Sequence, residues 1–171
     1  MVGETGTGKT TLINAVVNYI LGVKFTDEAW FKITEEVGDN HMSAQAKSRN
    51  EITVYEIYVE SSPIGLTIID TPGYGDTRGR VMDKQISENL HKLFHSDTGV
   101  KEIDAVCLVL KASETRLSDR QQYIFDAVLS LFGKDIENSI FMFITHSDGM
   151  PPEDALNAIK KAGIPCRKNE E

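Results

Sequence analysis

A glycine-rich loop begins two residues into the chain and leads directly into a helical pattern. Residues 3–10 read GETGTGKT, which matches the pattern G-x-x-x-x-G-K-[ST]. Glycines in such a loop let successive backbone N–H groups point inward, and the helix that follows presents its positive N-terminal end to the same space. The loop also has to follow a buried strand. The chain is therefore constrained to a strand, loop and helix that together bind phosphate groups.

The residue types of this loop indicate the phosphates of a nucleotide with a bound Mg²⁺. Lys9 can reach the β- and γ-phosphate oxygens, and the Thr10 hydroxyl is placed to ligate a Mg²⁺ that bridges them. Both residues are therefore predicted to serve catalysis. Thr11 has no metal-binding role in the pattern, but it belongs to the segment predicted to contact the nucleotide. That segment comprises Gly3, Glu4, Thr5, Gly6, Thr7, Gly8, Lys9, Thr10 and Thr11.

The segment that follows the loop has the periodicity of a helix over residues 10–21, with Gly22 as its stop. Its predicted apolar face consists of Leu12, Val16, Tyr19 and Ile20. Upstream of the loop, only Met1 and Val2 are left for a strand that usually has about five or six residues. We therefore expect the chain to be truncated at its beginning.

Composition predicts one globular domain and excludes several kinds of partner. The 171 residues are 40% hydrophobic and 26% charged, which suits a single, partial domain over residues 1–171. A net charge of −8 disfavours nucleic acid and anionic membranes as main partners. No apolar run approaches the ~20 residues that span a bilayer, so no membrane segment is expected within this chain. Cys107 and Cys166 form no disulfide framework, which indicates a reducing, cytoplasmic setting.

Strand-like and helix-like segments alternate along the chain, as in a mostly parallel sheet with helices on both faces. Residues 52–59 and 66–70 predict a hairpin whose first strand is antiparallel and lies at the sheet edge. Residues 103–110 and 140–145 are near-continuous apolar runs, typical of parallel strands buried on both faces. The predicted fold class is a three-layer α/β domain.

Helix signals lie between and after the two apolar runs. Ser118 and Gln121 form a capping-box pair that opens a helix, and Gly133 is its expected stop. A further helix is predicted between Pro152 and Gly163, with acidic residues at its start and lysines at its end. Residues 34–50 are polar and predict a long loop, which in a compact domain often has a function.

The second chemical element is the sequence D-T-P-G over residues 70–73, at the end of an apolar strand where ligands bind in open α/β sheets. The Asp70 carboxylate is predicted to hold Mg²⁺ through water, and the Gly73 N–H to meet a γ-phosphate. Both are predicted catalytic residues. Residues 74–80 are then expected to become ordered with a triphosphate and to relax after hydrolysis. The alternative is an ordinary turn that ends a strand.

The third element, T-H-S-D over residues 145–148, also ends a buried strand and concerns the base. The Asp148 carboxylate can accept hydrogen bonds from N1–H and the exocyclic amine of guanine, whereas adenine has no such pair of donors. A buried polar contact of this kind discriminates strongly between bases. Thr145, His146 and Asp148 are therefore predicted to bind the base of GTP or GDP. The alternative is that Asp148 caps a helix or a turn.

The order of these three elements resembles the septin-like branch of P-loop GTP-binding domains, and most of all the AIG1-type, immune-associated nucleotide-binding GTPases. In those domains His or Arg often stands in the guanine motif where most G proteins have Lys, as His146 does here. A segment similar to Arg116-Leu117-Ser118 precedes a helix that ends in L-F-G, as at residues 131–133. Septins are similar over residues 71–76. The resemblance covers nearly the whole chain and implies a G domain with GTP or GDP and Mg²⁺ as cofactors.

Some features of the family are absent or shifted. The family's final guanine-contacting segment has no counterpart before Glu171, which indicates truncation at this end too. The switch threonine corresponds either to Ser48 or to Thr53. Tyr74 stands where many small GTPases have a water-orienting Gln, so slow or partner-assisted hydrolysis is expected. The resemblance also implies nucleotide-dependent dimers or oligomers with Arg116 at the interface. The alternative for Arg116 is a solvent-facing residue.

Three classes of function remain open. The first is a GTP-binding switch that hydrolyses slowly and assembles, and the second is a pseudo-GTPase that stays locked on its nucleotide. The third, an ATP-using P-loop enzyme, is disfavoured by Asp148 and by the lack of an ATPase-type Glu after Asp70. His91 and His95 have an i, i+4 spacing, but Lys92 stands where a zinc protease has Glu, so no metal site is expected there.

Overall fold

The computed structural model describes residues 1–34, 52–59, 65–74, 80–96 and 99–165. The helices are α1 (Lys9–Ile20), α2 (Arg80–His95), α3 (Asp119–Leu129) and α4 (Glu153–Ala162), and the strands are β1 (Thr53–Ile57), β2 (Leu66–Asp70), β3 (Val106–Lys111) and β4 (Ile140–Thr145). Short 3₁₀ turns lie at Phe25–Asp27 and Lys134–Ser139. Strands and helices alternate as predicted, so the fold is α/β. Of the described helices, none has the length and apolar character that a membrane crossing requires.

The four strands form two pairs of opposite sense. β1 and β2 are antiparallel, with Thr53 opposite Asp70 and Ile57 opposite Leu66. β3 and β4 are parallel, and Val106 lies opposite Ile140. The predicted antiparallel hairpin and the predicted parallel pairing are therefore confirmed. β3 is largely buried as predicted, whereas in β4 only Ile140 is buried and Phe141 is 46% exposed. β1 is shorter at both ends than the pattern over residues 52–59 from which it was predicted, and β3 begins three residues later than the pattern over residues 103–110.

The first residues of the chain lie between these two pairs. The Val2 N–H donates to the Cys107 carbonyl at 2.8 Å, and the Val109 N–H donates to the Val2 carbonyl at 2.7 Å. On the other side the Met1 amino group donates to the Ile69 carbonyl at 2.6 Å, and burial lowers its pKa. Residues 1–4 thus occupy the strand position between β2 and β3 that the phosphate-binding loop requires.

Helices pack on both faces of this sheet. The larger hydrophobic cluster joins Leu90 of α2, Phe125 of α3 and Ile159 of α4 to Leu108 of β3. The smaller cluster is formed on the opposite face by Ile13 and Val17 of α1 with Ile68 of β2. Successive residues of β2 serve the two faces, since Ile69 packs against the larger cluster and Ile68 against the smaller one. The three-layer arrangement is confirmed.

The face by which α1 packs on the sheet differs from the predicted one. Ile13 and Val17 are almost fully buried, whereas Tyr19 is 84% exposed. Apolar residues lie all around the first turns of this helix, so its periodicity does not determine a single face. Ile13 and Val17 are the buried pair because they pack against Ile68 of β2.

Two buried asparagines of α1 hold the segment that leads into residues 35–51, which lie outside the described residues. The Asn18 amide donates to the Phe31 carbonyl at 2.7 Å, and its side-chain oxygen accepts from the Phe31 N–H at 2.9 Å. One turn earlier, the Asn14 amide donates to the Thr34 hydroxyl at 2.9 Å. Polar side chains on this inner face of α1 thus replace backbone pairing for residues 31–34.

The two later helices begin where their signals predicted. In α3 the Ser118 hydroxyl accepts from the Gln121 N–H and the Gln121 side chain accepts from the Ser118 N–H, which confirms the capping box. The helix ends at Leu129, earlier than the Gly133 stop. α4 ends at Ala162 and is capped by Gly163, whose φ of 67° is the left-handed conformation that glycine tolerates. Cys166 lies outside the described residues.

Replacing Asn18 by Ala is expected to lower the free energy of unfolding by about 2 kcal/mol, because the Phe31 backbone groups lose their partners. The neighbouring exposed change Tyr19→Ala should alter it by less than about 0.5 kcal/mol. Urea denaturation of both variants checks this. Equal losses for the two variants would contradict the packing described here for α1.

Candidate functional site

The glycine-rich loop forms a cradle at the end of the central strand position. Gly6 and Gly8 have φ values of 81° and 87°, in the left-handed region that glycine adopts without strain. Gly3 lies so close to β3 that a Cβ on it would come within 2.5 Å of the Val109 carbonyl oxygen. α1 begins directly after Gly8 with no side-chain cap, so its first N–H groups are available to an anion.

Lys9 is folded back over the loop. Its ammonium donates to the Gly3 carbonyl at 2.7 Å and to the Glu4 carbonyl at 3.0 Å, and the residue is 8% exposed. Burial lowers the pKa of Lys9 to about 8, although the nearby Asp70 and Glu4 carboxylates raise it. An anion bound in the cradle would stabilise the charged form of Lys9, which burial destabilises.

Asp70 ends β2 beside the cradle and is 6% exposed. The Thr10 side chain, at the first turn of α1, is exposed and can reach a ligand. A carboxylate and a hydroxyl are hard oxygen donors of the kind that Mg²⁺ takes together with phosphate oxygens and water. The residues present therefore fit a Mg²⁺ bound with a nucleotide.

The segment after Asp70 is paired to the loop. The Thr5 N–H donates to the Tyr74 carbonyl at 2.9 Å, and the Tyr74 N–H donates to the Gly3 carbonyl at 3.3 Å. A side chain at position 73 has no room, because a Cβ on Gly73 would lie 2.9 Å from the Thr5 Cα and 3.1 Å from the Thr5 Cβ. Gly73 is thereby held against the loop, as its predicted contact with a γ-phosphate requires.

The third element also meets the loop. The Thr145 hydroxyl donates to the Thr7 carbonyl at 2.6 Å and lies 3.1 Å from the Leu110 carbonyl. The His146 ring lies over the loop, with Cε1 3.5 Å from the place where a Cβ on Gly8 would stand. His146 itself has a φ of 55°, a costly conformation for a residue with a side chain. The predicted base-binding and phosphate-binding segments are therefore in direct contact.

Asp148 lies in the exposed turn after β4. Its Oδ1 accepts a hydrogen bond from the Met150 N–H at 2.9 Å, as the alternative interpretation of a turn cap expects. That bond uses one of the several acceptor positions of a carboxylate. Capping the turn fixes the side chain and leaves acceptors for the two donors of a guanine.

The model of the AIG1 family matches residues 1–165. The chain belongs to the AIG1 family. GTP-binding protein A from Dictyostelium discoideum is 24% identical to it over 157 residues, which are 92% of this chain and 29% of that protein. Septin-14 from Mus musculus is 36% identical over 75 residues, which are 44% of this chain and 14% of that protein.

Solved structures share the fold. Toc33 from Arabidopsis thaliana in complex with GDP and Mg²⁺ superposes with a TM-score of 0.63 at 19% identity. The match covers 99% of this chain and 63% of Toc33. Toc33 in complex with Mg²⁺ and GMPPNP gives the same TM-score of 0.63 at 18% identity, over 98% of this chain and 62% of that one. The AIG1 chain thus spans less than two thirds of the length of these relatives.

Other predicted residues of the AIG1 chain lie on elements outside the glycine-rich loop, or outside the described residues. Arg116 is exposed in the turn before α3. Of the two candidate switch residues, Thr53 belongs to β1, while Ser48 lies outside the described residues, as do residues 75–79. The His91 and His95 rings stack with centroids 3.9 Å apart. The described part of the chain holds no group of three or more potential His, Cys, Asp or Glu ligands.

One ion pair beside the site has no sequence signal. Arg120 of α3 donates to Asp83 of α2 through Nε at 3.1 Å and Nη2 at 2.9 Å, and Asp83 is 2% exposed. Burial raises the pKa of the Glu4 carboxyl in the nearby loop, and the neighbouring Glu114 raises it further. The ion pair between Arg120 and Asp83 fixes α2, the first described helix after Gly73, against α3. Its partners are 37 positions apart in the sequence, so no local pattern could have predicted it.

The pKa of Lys9 generates a pH-dependent prediction for the nucleotide-free chain. Between about 8 and its ordinary value of 10.5, the unfolded chain binds more protons at Lys9 than the folded chain does. The free energy of unfolding is therefore expected to rise with pH in this window, relative to a Lys9→Met variant. Urea denaturation of both proteins from pH 7.5 to 10.5 measures this difference, in which the shared Met1 amino group cancels. A difference that is independent of pH would show that Lys9 titrates normally.

Proposed function

We propose that this AIG1 domain binds GTP and GDP with Mg²⁺ and acts as a nucleotide-dependent switch. The observation that carries the proposal is the 2.6 Å hydrogen bond from the Thr145 hydroxyl to the Thr7 carbonyl. It holds the segment predicted to bind guanine against the loop predicted to bind phosphates, so one nucleotide can contact both. Toc33, whose fold this chain shares, has been solved with GDP and Mg²⁺ and with GMPPNP and Mg²⁺.

Each part of the cradle then has a role in binding. The N–H groups of the loop and of the first turn of α1 bind the phosphates, and Lys9 moves from the loop carbonyls to the β- and γ-phosphate oxygens. Thr10 and Asp70 hold Mg²⁺, which neutralises phosphate charge. The Gly73 N–H meets the γ-phosphate. Asp148 binds the guanine base, and His146 covers it beside Gly8.

Hydrolysis of GTP is proposed to be slow or to need a partner. Tyr74 follows Gly73 and is 1% exposed within the hydrophobic core, so its side chain does not reach a water at the phosphate. Many GTPases use a Gln at this place to orient the attacking water. A pseudo-GTPase that binds GTP without turnover is the second candidate, and the same burial of Tyr74 favours it.

Assembly through the nucleotide face is the last part of the proposal. Arg116 is exposed before α3, so it can contact a second copy of the domain. An arginine in such an interface can stabilise charge on the partner's nucleotide. An Arg-to-Ala variant of Toc33 is described as deficient in dimerisation, which supports the idea by analogy. The cytoplasmic setting stays a prediction from the cysteines.

The Asp148→Ala variant is expected to lose GDP binding by at least about 100-fold, because the two guanine donors would lack acceptors. Calorimetric titration of GDP and of ADP, both with Mg²⁺, measures this. Asp126→Ala, which removes an exposed carboxylate of α3, is the control and should bind GDP like the parent. Preferential binding of ADP by the parent chain would move it to the ATP-using class and overturn the proposal.

The Arg116→Ala variant is expected to stay monomeric with GMPPNP and Mg²⁺ under conditions in which the parent chain dimerises, since the arginine contact across the interface is lost. Sedimentation velocity with GDP and with GMPPNP measures the state. Lys160→Ala, an exposed change on α4, is the charge-matched control. Unchanged dimerisation of Arg116→Ala would place Arg116 outside the interface.

A further inference from the structure

Tyr74 is buried, so a different side chain stands nearest to the expected γ-phosphate position. The Tyr74 ring belongs to the larger hydrophobic cluster, and its hydroxyl is buried. Ser87 and Asp83 of α2 are near this hydroxyl, and burial raises the pKa of Tyr74. The residue after Gly73 therefore anchors α2 and cannot orient a water at the nucleotide.

The side chain that does stand there belongs to the loop. A Cβ built on Gly73 would come closest to the Thr5 hydroxyl oxygen, then to the Thr5 Cα at 2.9 Å and the Thr5 Cβ at 3.1 Å. Thr5 thus fills the space directly beside the Gly73 α-carbon. Its side chain is exposed, so a bound nucleotide and its water can reach it.

The position of Thr5 is fixed by its backbone. The Thr5 N–H donates to the Tyr74 carbonyl at 2.9 Å, and the hydroxyl lies 3.5 Å from the same carbonyl, at the outer limit of a hydrogen bond. A hydroxyl has one donor and two acceptor lone pairs. The Thr5 oxygen lies beside Gly73, so its lone pairs can accept a hydrogen bond close to where the Gly73 N–H would meet a γ-phosphate.

We infer that the Thr5 hydroxyl is a positioning residue for hydrolysis, which accepts a hydrogen bond from the water that attacks the γ-phosphate. The inference rests on the proposed GTP binding. In the reaction, the water oxygen bonds to the γ-phosphorus and the bond from that phosphorus to the β–γ bridging oxygen breaks. GDP leaves with the electron pair, and the water proton passes to a phosphate oxygen. Thr5 is unchanged, and the products are GDP and inorganic phosphate.

The test separates the hydroxyl of Thr5 from its shape. Thr5→Val keeps the branched side chain and removes the hydroxyl, so single-turnover hydrolysis of GTP by excess protein should slow about tenfold, the usual effect of one lost hydrogen bond. GDP affinity should stay within about twofold, because the ground-state contacts to phosphates come from backbone N–H groups and Lys9. Thr5→Ser should retain most of the parent rate. Thr26→Val, an exposed threonine in the turn at Phe25–Asp27, is the matched control and should hydrolyse GTP like the parent.

Several outcomes would overturn the inference. A parent rate for Thr5→Val would show that the hydroxyl does not act, and a faster rate for Thr5→Gly would show that the side chain obstructs the site. Loss of GDP affinity together with the rate in Thr5→Val would assign Thr5 to binding. A parent chain that binds GDP but never hydrolyses GTP refutes the inference and leaves the binding proposal intact. A parent chain that binds no guanine nucleotide refutes both.

Discussion

The hydrogen bonds that insert residues 1–4 between β2 and β3 support everything else in this domain. Val2 is bonded on both its N–H and its carbonyl to β3, and Met1 bonds to β2 through its amino group. These bonds join an antiparallel pair and a parallel pair into one sheet. They also determine where the glycine-rich loop leaves the sheet, and therefore its position relative to the ends of β2 and β4. Buried backbone groups have to be paired, which makes this arrangement strongly preferred over a displaced one.

Around that fixed loop, two segments from distant parts of the chain and the loop's own lysine meet through its carbonyl groups. Lys9 binds the Gly3 and Glu4 carbonyls, Tyr74 binds Gly3, and Thr145 binds Thr7. A bound phosphate would attract Lys9 away from the first two. The segment after β2 and the segment after β4 therefore both contact the loop, so a change in the ligand bound to the loop would affect both. This is the physical basis of the proposed switch.

Local signals predicted the parts of the fold whose energetics are local. The capping box at Ser118 and Gln121, and the Gly163 end of α4, depend on hydrogen bonds and φ values within a few residues. The packed face of α1 was not predictable in this way, because apolar residues surround its first turns. Only the presence of Ile68 on the facing strand selects Ile13 and Val17. The roles of Asn14 and Asn18 likewise depend on residues 31–34, which pass beside α1 and bond to their side chains.

The sequence by itself determined the order and chemistry of the site: a phosphate-binding loop, an acidic strand end and a turn suited to guanine, in an α/β domain of the AIG1 family. These follow from short runs whose residue types have few other uses. The tertiary structure alone decided which groups meet. It buried Tyr74, paired Asp83 with Arg120, and placed the Thr5 side chain against Gly73. Such contacts join residues tens of positions apart, and no periodicity or spacing encodes them, because they arise only when the sheet has brought its strand ends together.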